Sequence, residues 1–358
     1  MIGLLARTRA SLHTIRNPDV TMLFLTEQDV KDALAGDDAY KSAVDVIERV
    51  FRQQSEGTTY HLKRYTMTHP AHPGHLWHNI RMLPGMVPDL GAAAVRVYSG
   101  YRGTNRSEVI CLFDWADMRM SAIISDFYLH AIRTSAPYGV AAKYLARADA
   151  STVGVIGTGR YARGMVQAVC AVRSIKKLQV FSRDPANVRR FCEAMSTTLG
   201  IDVVPCRSGR DAVRGAEIAI TATSGNTIVF ESDWLEPGML LMSLAPGEFD
   251  EQTVLRTRVY LSAIEQVLGD DPPRKPFDSL VASGRFGVSD VVADLCDVVA
   301  GKKPGRTADC EIILYECAGL GLLDAGIGQW IYERARSRGL GSEMPFGEER
   351  PSANPAEP

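Results

Sequence analysis

Apolar and polar positions alternate along this chain with two different periods, and the places where the period changes mark its parts. "MLFLTEQDVKDAL" opens on a short apolar run, followed by Thr26 with Asp29 three residues on, the spacing of a helix capping box. Val30, Ala33 and Leu34 then share one face, so the pattern predicts a strand and a helix running through roughly Phe51. From Thr58 to Asp126 the runs shorten and alternate, as in "HLKRYTM", "LWHNIRML", "AAAVRVYSG", "EVICLFD" and "SAIISDFY", between Pro, Gly and Asn turns. That is the signature of a mostly antiparallel sheet. "AIRTSAPYGVAAKYLA" reads as a helix, and from Ser151 strands alternate with helices at the spacing of βαβ units. Strands are expected at 152–156, 178–182, 202–205, 217–222, 239–244 and 258–262, each nearly continuous in apolar residues. Parallel strands covered on both faces have that character, so the sheet should be doubly wound. "ECAGLGLLDAGIGQWIYERARSRGLG" predicts a closing helix ended by Gly339, before a Pro- and Glu-rich tail.

Candidate chemistry concentrates where the first of the parallel strands ends. In "TVGVIGTGRYARG" the strand runs into Gly157, Gly159 and Ala162 and then a helix, with a second strand ending about 25 residues after Gly157. Gly157 permits the tight turn, Gly159 lets backbone approach a pyrophosphate, and Ala162 allows close helix packing. The free N–H groups at the helix start favour the anion. The loop residues Thr158, Arg160 and Tyr161 join these three as cofactor candidates, with Thr223, Ser224 and Leu244 at the ends of later strands.

The second strand of this unit ends on Ser182 and Arg183, a hydroxyl and a guanidinium suited to the 2′-phosphate of NADP. Asp184 is the rival acid for an NAD ribose, but Pro185 after it makes Asp184 better read as a helix N-cap. NADP(H) is therefore favoured, with NAD(H) possible.

Composition narrows the remaining classes. The 358 residues suffice for about two domains. With 46% hydrophobic and 23% charged residues the chain is globular in composition, and no run approaches the ~18 apolar residues of a membrane span. A net charge of −2, with Lys and Arg scattered, favours neither nucleic acid nor a membrane surface. Seven cysteines form no CxxC pair, which fits a reducing, cytoplasmic setting. The opening "MIGLLARTRASLHTIRNPDV" has three arginines and no acid before Asp19, but lacks an apolar signal core, so a dispensable extension is the expectation.

The segments "AIRTSAPYGVAAKYLARADASTVGVIGTGRYARG", "GAEIAITATS", "WLEPGMLLMSLAPGEFD", "VVAGKKPGRTADCEIILYECAGLGLLDAG" and "RARSRGLG" together resemble the ornithine cyclodeaminase and mu-crystallin family, over roughly residues 22 to 342. The resemblance implies an α/β chain. A Rossmann-type doubly wound domain over 134–317 would be joined to an α+β substrate-binding and dimerisation domain over 22–133, completed by 318–345. Residues 1–21 and 346–358 would be an extension and a tail. It also implies a homodimer, a nicotinamide nucleotide, and a small amino or imino acid as substrate. The family's substrate-carboxylate arginine falls on Arg133, and a second on Arg64, with Lys63 the competing choice.

Two positions depart from the family pattern. Its active-site lysine falls on Arg96, which keeps the charge and can bind the substrate carboxylate beside Arg133 and Arg64 but is a poor proton shuttle. Its catalytic aspartate falls on Leu244, and although Glu248 and Asp250 lie on the same loop, they also fit an exposed turn followed by a helix. Cyclodeamination needs a base and an acid, whereas reduction of a preformed imine makes lighter demands. An NADP(H)-dependent imine reductase or amino-acid dehydrogenase is the expectation, its catalytic group unassigned. The alternatives are a cyclodeaminase-type lyase using NAD transiently and a silent NADPH-dependent binding protein like mu-crystallin.

Three further features carry less. His69, His72, His75 and His78 in "THPAHPGHLWH" are interrupted by prolines and read as a loop over the pocket rather than metal ligands, with His75 or His78 a candidate proton donor to an imine nitrogen and a solvated loop the plainer reading, so no metal site is assigned. "KKPGRTADCE" reads as a basic turn before a helix, and Asp324 as a helix-capping residue.

Overall fold

A computed structural model describes residues 21–36, 38–69, 79–100, 107–224, 227–269 and 274–346. The described residues begin with β1 (Thr21–Leu25), α1 (Glu27–Leu34) and α2 (Ala39–Glu56), followed by β2 (Tyr60–His61), β3 (Tyr65–Thr68), β4 (Asn79–Val87), β5 (Ala92–Ser99), β6 (Glu108–Asp114) and β7 (Met120–Ser125). Thr26 and Asp29 form the expected capping box. The single helix read through Phe51 is instead two, because the chain leaves helical geometry at Ala35 and passes through Gly36 at φ +81° before Asp38 caps α2. Helical periodicity on both sides of a short break looks continuous in sequence.

After α3 (Leu129–Leu145) come β8 (Thr152–Ile156), α4 (Arg160–Cys170), β9 (Lys177–Phe181), α5 (Pro185–Leu199), β10 (Asp202–Pro205), α6 (Gly209–Val213), β11 (Ile218–Thr221) and β12 (Leu240–Ser243). Then follow α7 (Glu251–Leu255), β13 (Arg258–Leu261), α8 (Ile264–Leu268), α9 (Phe277–Ala282), β14 (Val291–Asp294), α10 (Leu295–Val299) and β15 (Ile313–Glu316). The described residues close with α11 (Gly321–Ser337) and β16 (Ser342–Pro345). All six expected parallel strands are present within a residue or so at each end. Two more, β14 and β15, went unread. The basic turn at 302–311 leads into β15 and not into the expected helix: a four-residue strand, Ile313, Leu314 and Tyr315 ending on Glu316, is too short for a period to distinguish the two in sequence.

The strands make two sheets. One runs β16-β1-β7-β6-β5-β4-β2, with β3 also on β4, and is antiparallel except where β1 lies parallel to β7. The other is parallel throughout, in the order β10-β9-β8-β11-β12-β15-β13-β14. Chain order reverses between β8 and β11, and a ligand crevice opens at the carboxyl ends of strands at such a switch point.

Alternation along the parallel strands divides the core. Ile218, Ile220, Leu240 and Met242 join an apolar cluster continuous with α2, α3 and the first sheet, while Ala219 and Leu241 join a second cluster on the opposite face. Helix α11, far along the chain, returns to lie against β4 and β5. Its start meets β4 backbone to backbone: a Cβ on Gly85 would lie 2.3 Å from the carbonyl carbon of Gly321. Only glycine permits that approach, even though Gly85 and Pro84 sit inside a strand.

Gly85→Ala should therefore push α11 away from the sheet and lower the denaturation free energy by about 1–3 kcal/mol, as overpacking does elsewhere. Urea denaturation of both proteins measures this, and equal midpoints would show that the contact can relax.

Candidate active site

A cleft of about 1110 Å³ opens between the carboxyl end of the parallel sheet and the residues of the antiparallel sheet and α3. On the sheet side, Gly157 leaves β8 at φ +119°, where a Cβ would lie 2.2 Å from the Ala222 carbonyl oxygen. No side chain caps α4, so its first-turn N–H groups are left for an anion at the loop. Gly157, Thr158, Gly159 and Tyr161 line the cleft, and Ala162 is fully buried in helix packing. Arg160 turns instead toward the first domain, donating to the Phe127 carbonyl at 2.8 Å and to the Tyr161 hydroxyl at 2.7 Å. Ser182 and Arg183 border the cleft after β9, and Asp184 accepts from the Ala186 N–H as the N-cap of α5. The glycine cradle and the uncapped helix fit a dinucleotide.

Thr223, Ser224 and Leu244 also line the cleft. The loops that carry them are held by Glu248, read from sequence as part of an exposed turn but in fact fully buried. Its carboxylate accepts from the Thr223 N–H and hydroxyl at 2.7 Å, from the Ser243 hydroxyl at 3.1 Å, and from the N–H groups of Leu244 at 3.3 Å and Ala245 at 3.0 Å. Asp250 caps α7. Beneath Leu244, Arg274 donates to its carbonyl at 2.9 Å and pairs with Glu316 at 2.8 Å. Burial pushes the Glu316 carboxyl up to about 7 against the pull of Arg274.

The opposite wall carries the charged residues of the first domain. Arg64 lines the cleft, whereas Lys63 lies outside it, its ammonium 3.4 Å from the Gly269 carbonyl. Arg96 and Arg133 also line it, but both are buried and already hold carboxylates. Arg96 bonds Glu108 and Asp126. Arg133 grips Asp324 through Nε and Nη2, leaving Nη1 on the side of Gly319, where a Cβ would be only 3.0 Å from it. Asp324 is thus no helix cap: it is fully buried, and Leu320 occupies the cap position. Burial pushes the Asp126 carboxyl up to about 6, opposed by Arg96.

His130, one helical turn before Arg133, completes this cluster, and no sequence signal had singled it out. Its Nδ1 lies 3.0 Å from Glu108, 3.1 Å from the Arg96 guanidinium and 3.2 Å from the Tyr161 hydroxyl. Glu108, Asp126 and His130 present ligand-type atoms within 4.8 Å of one another, but the Arg96 guanidinium lies among them and supplies the positive charge there. Of the histidine loop, His72, His75 and His78 lie outside the described residues, and His69 is exposed.

The cleft between the two sheets, with a glycine loop on one wall and a charged, buried cluster on the other, has the features of a nicotinamide-dinucleotide enzyme. Residues 22–339 match the ornithine cyclodeaminase/mu-crystallin family, and the chain belongs to it. A Δ1-pyrroline-2-carboxylate reductase of Bacillus cereus is 30% identical over 241 residues, 66% of this chain and 74% of the relative. An alanine dehydrogenase of Archaeoglobus fulgidus is 28% identical over 233 residues, 63% of this chain and 69% of that one. The structure of the Thermococcus litoralis Δ1-pyrroline-2-carboxylate reductase, solved with NADH and L-proline, superposes with a TM-score of 0.81 at 30% identity. That superposition covers 90% of this chain and all of the other. No described helix is long and apolar enough to cross a membrane.

A carboxyl whose pKa rises on folding stabilises most where it is protonated. The Glu316 contribution is full below its unfolded value near 4.3 and is lost as pH rises through about 7, each pH unit between the two costing about 1.4 kcal/mol. Wild-type stability relative to Glu316→Gln should accordingly fall between pH 5 and pH 8. Denaturation at both pH values measures it, and a difference that does not move with pH would contradict the assignment.

Proposed function

We propose that this protein reduces the imine of a small amino acid, a ketimine or a cyclic imino acid, with NADPH preferred, or catalyses the reverse oxidation. The observation that carries the reading is a single cleft that brings the glycine loop of β8–α4 opposite Arg64, Arg96, His130 and Arg133. A bound nicotinamide would supply or accept the hydride. The chain's own groups would bind and orient: the Nη1 side of Arg133 and the guanidinium of Arg64 take the substrate carboxylate, and Arg96 holds the wall in place through its carboxylates. Fixing the carboxylate turns the imine carbon toward the cofactor site, which is where orientation contributes most to rate. The reductases of B. cereus and T. litoralis support this substrate class.

Ser182 and Arg183 border the adenosine end, while Asp184 is engaged in capping α5, which supports NADPH over NADH. The chain would work as a homodimer through its first sheet, where Tyr60, Leu62, Tyr65 and Met67 lie more than half exposed on or beside the edge strands β2 and β3. The structure gives a cyclodeaminase-type lyase no acid at Leu244, since Glu248 on the same loop is consumed by five hydrogen bonds.

NADPH oxidation against a panel of cyclic imino acids, and of 2-oxo acids mixed with simple amines, should reveal an imine-dependent rate. Tight NADPH binding with no rate on any imine would point to a binding protein. Replacing Ser182 with Asp and Arg183 with Thr should raise the NADH-to-NADPH ratio of kcat/KM by at least about tenfold, the equivalent of ~1.4 kcal/mol. An unaltered ratio would remove the cofactor assignment.

A further inference from the structure

We propose that His130 is the catalytic acid that delivers the proton to the imine nitrogen, a role that rests on the imine-reductase reading above. Adding hydride to carbon leaves an electron pair on nitrogen that must receive a proton. Among the described groups lining the cleft, the arginines retain their protons at working pH, and Asp184 caps a helix at the far end. Tyr98 and Tyr161 are phenols, a class whose ordinary value is about 10, even though the neighbouring Arg64 and Arg96, against the opposing effect of burial, pull Tyr98 down. Burial pushes the Cys317 thiol up. An imidazole is the side chain that ordinarily exchanges its proton near neutrality.

Geometry places His130 for the task. It stands in the first turn of α3, one turn before Arg133, so the group that would hold the substrate carboxylate and the group that would protonate its nitrogen share one helix face. Its Nδ1 meets Glu108 on β6 and Arg96 on β5, and its ring packs edge-on against Tyr161 of α4 with centroids 5.6 Å apart. Arg160 donates to the same Tyr161 hydroxyl. The imidazole therefore bridges the substrate wall and the helix of the glycine loop.

Charge gives an independent reason. Arg96 and Arg133 confront Glu108, Asp126 and Asp324, two cations against three carboxylates, all buried. A proton on His130 brings the cluster to neutrality, and Glu108 at 3.0 Å is placed to hold it there.

A reduced nicotinamide held at the glycine loop would supply the hydride for the new C–H bond at the imine carbon, the C=N π pair moving to nitrogen. Nitrogen takes the imidazolium proton, so an imidazole N–H bond breaks as the amine N–H forms. The hydride donor would be oxidised as the imine is reduced, and neutral His130 regains a proton from water.

His130→Gln should lower kcat at pH 7 by about a hundredfold or more, while NADPH affinity by fluorescence titration stays within about threefold. The alkaline limb of the kcat profile should vanish with it. In the cofactor-free wild type, the His130 ring signal, assigned by elimination through single substitutions of the other six histidines, should titrate between pH 5 and 8, a readout that needs neither turnover nor a folded His130 variant. A ring that keeps one protonation state from pH 5 to 9 overturns the proposal even if the variant fails to fold. So does a His130→Gln enzyme with wild-type kcat and pH profile, or a loss confined to Tyr161→Phe, and in those cases the reductase reading stands. A wild type that reduces no imine overturns both.

Discussion

The structure depends on a buried ion network in which two guanidinium groups hold three carboxylates drawn from distant parts of the chain. Arg96 on β5 binds Glu108 on β6 and Asp126 after β7, and Arg133 on α3 binds Asp324 on α11, 191 residues away. Such charges are tolerable only when each keeps its partner, since removing one leaves the other buried and uncompensated at a cost of about 3–5 kcal/mol. The network thereby obliges the terminal helix to return to the first domain. The Gly85–Gly321 approach allows it to come close enough for the carboxylate to arrive.

The same interactions shape the cleft. Arg133 spends one edge of its fork on Asp324, so what remains for a ligand is the Nη1 side facing Gly319, a narrower and more directional donor than an isolated guanidinium. On the facing wall, Glu248 gathers the loops after β11 and β12 under one carboxylate. Each wall is built on rigid strands and stiffened from behind by a buried acid, an arrangement that preorganises binding groups before any ligand enters.

Much of the fold was legible because it follows from local rules. The capping box at Thr26, the N-cap at Asp184 and the six apolar strands all depend on residues within a turn or two of one another. The glycine loop was legible for the same reason: a positive φ at Gly157 and an uncapped helix are properties of a dozen consecutive residues. Where local signals were thin, reading failed. The break at Gly36 falls between two segments of like periodicity, and β14 and β15 are four residues each. Glu248 and Asp324 looked like turn and cap residues because their true partners lie elsewhere in the chain or inside the fold.

The sequence by itself determined the alternation of strands and helices, the dinucleotide loop and the family to which the chain belongs, since each is encoded in short-range spacing and residue type. Only the tertiary structure decided which charges meet. Nothing in the spacing of Arg96, Glu108, Asp126, His130, Arg133 and Asp324 announces that they converge, because burying ionic groups is favourable only as a mutually compensated set, and compensation is a property of the folded arrangement.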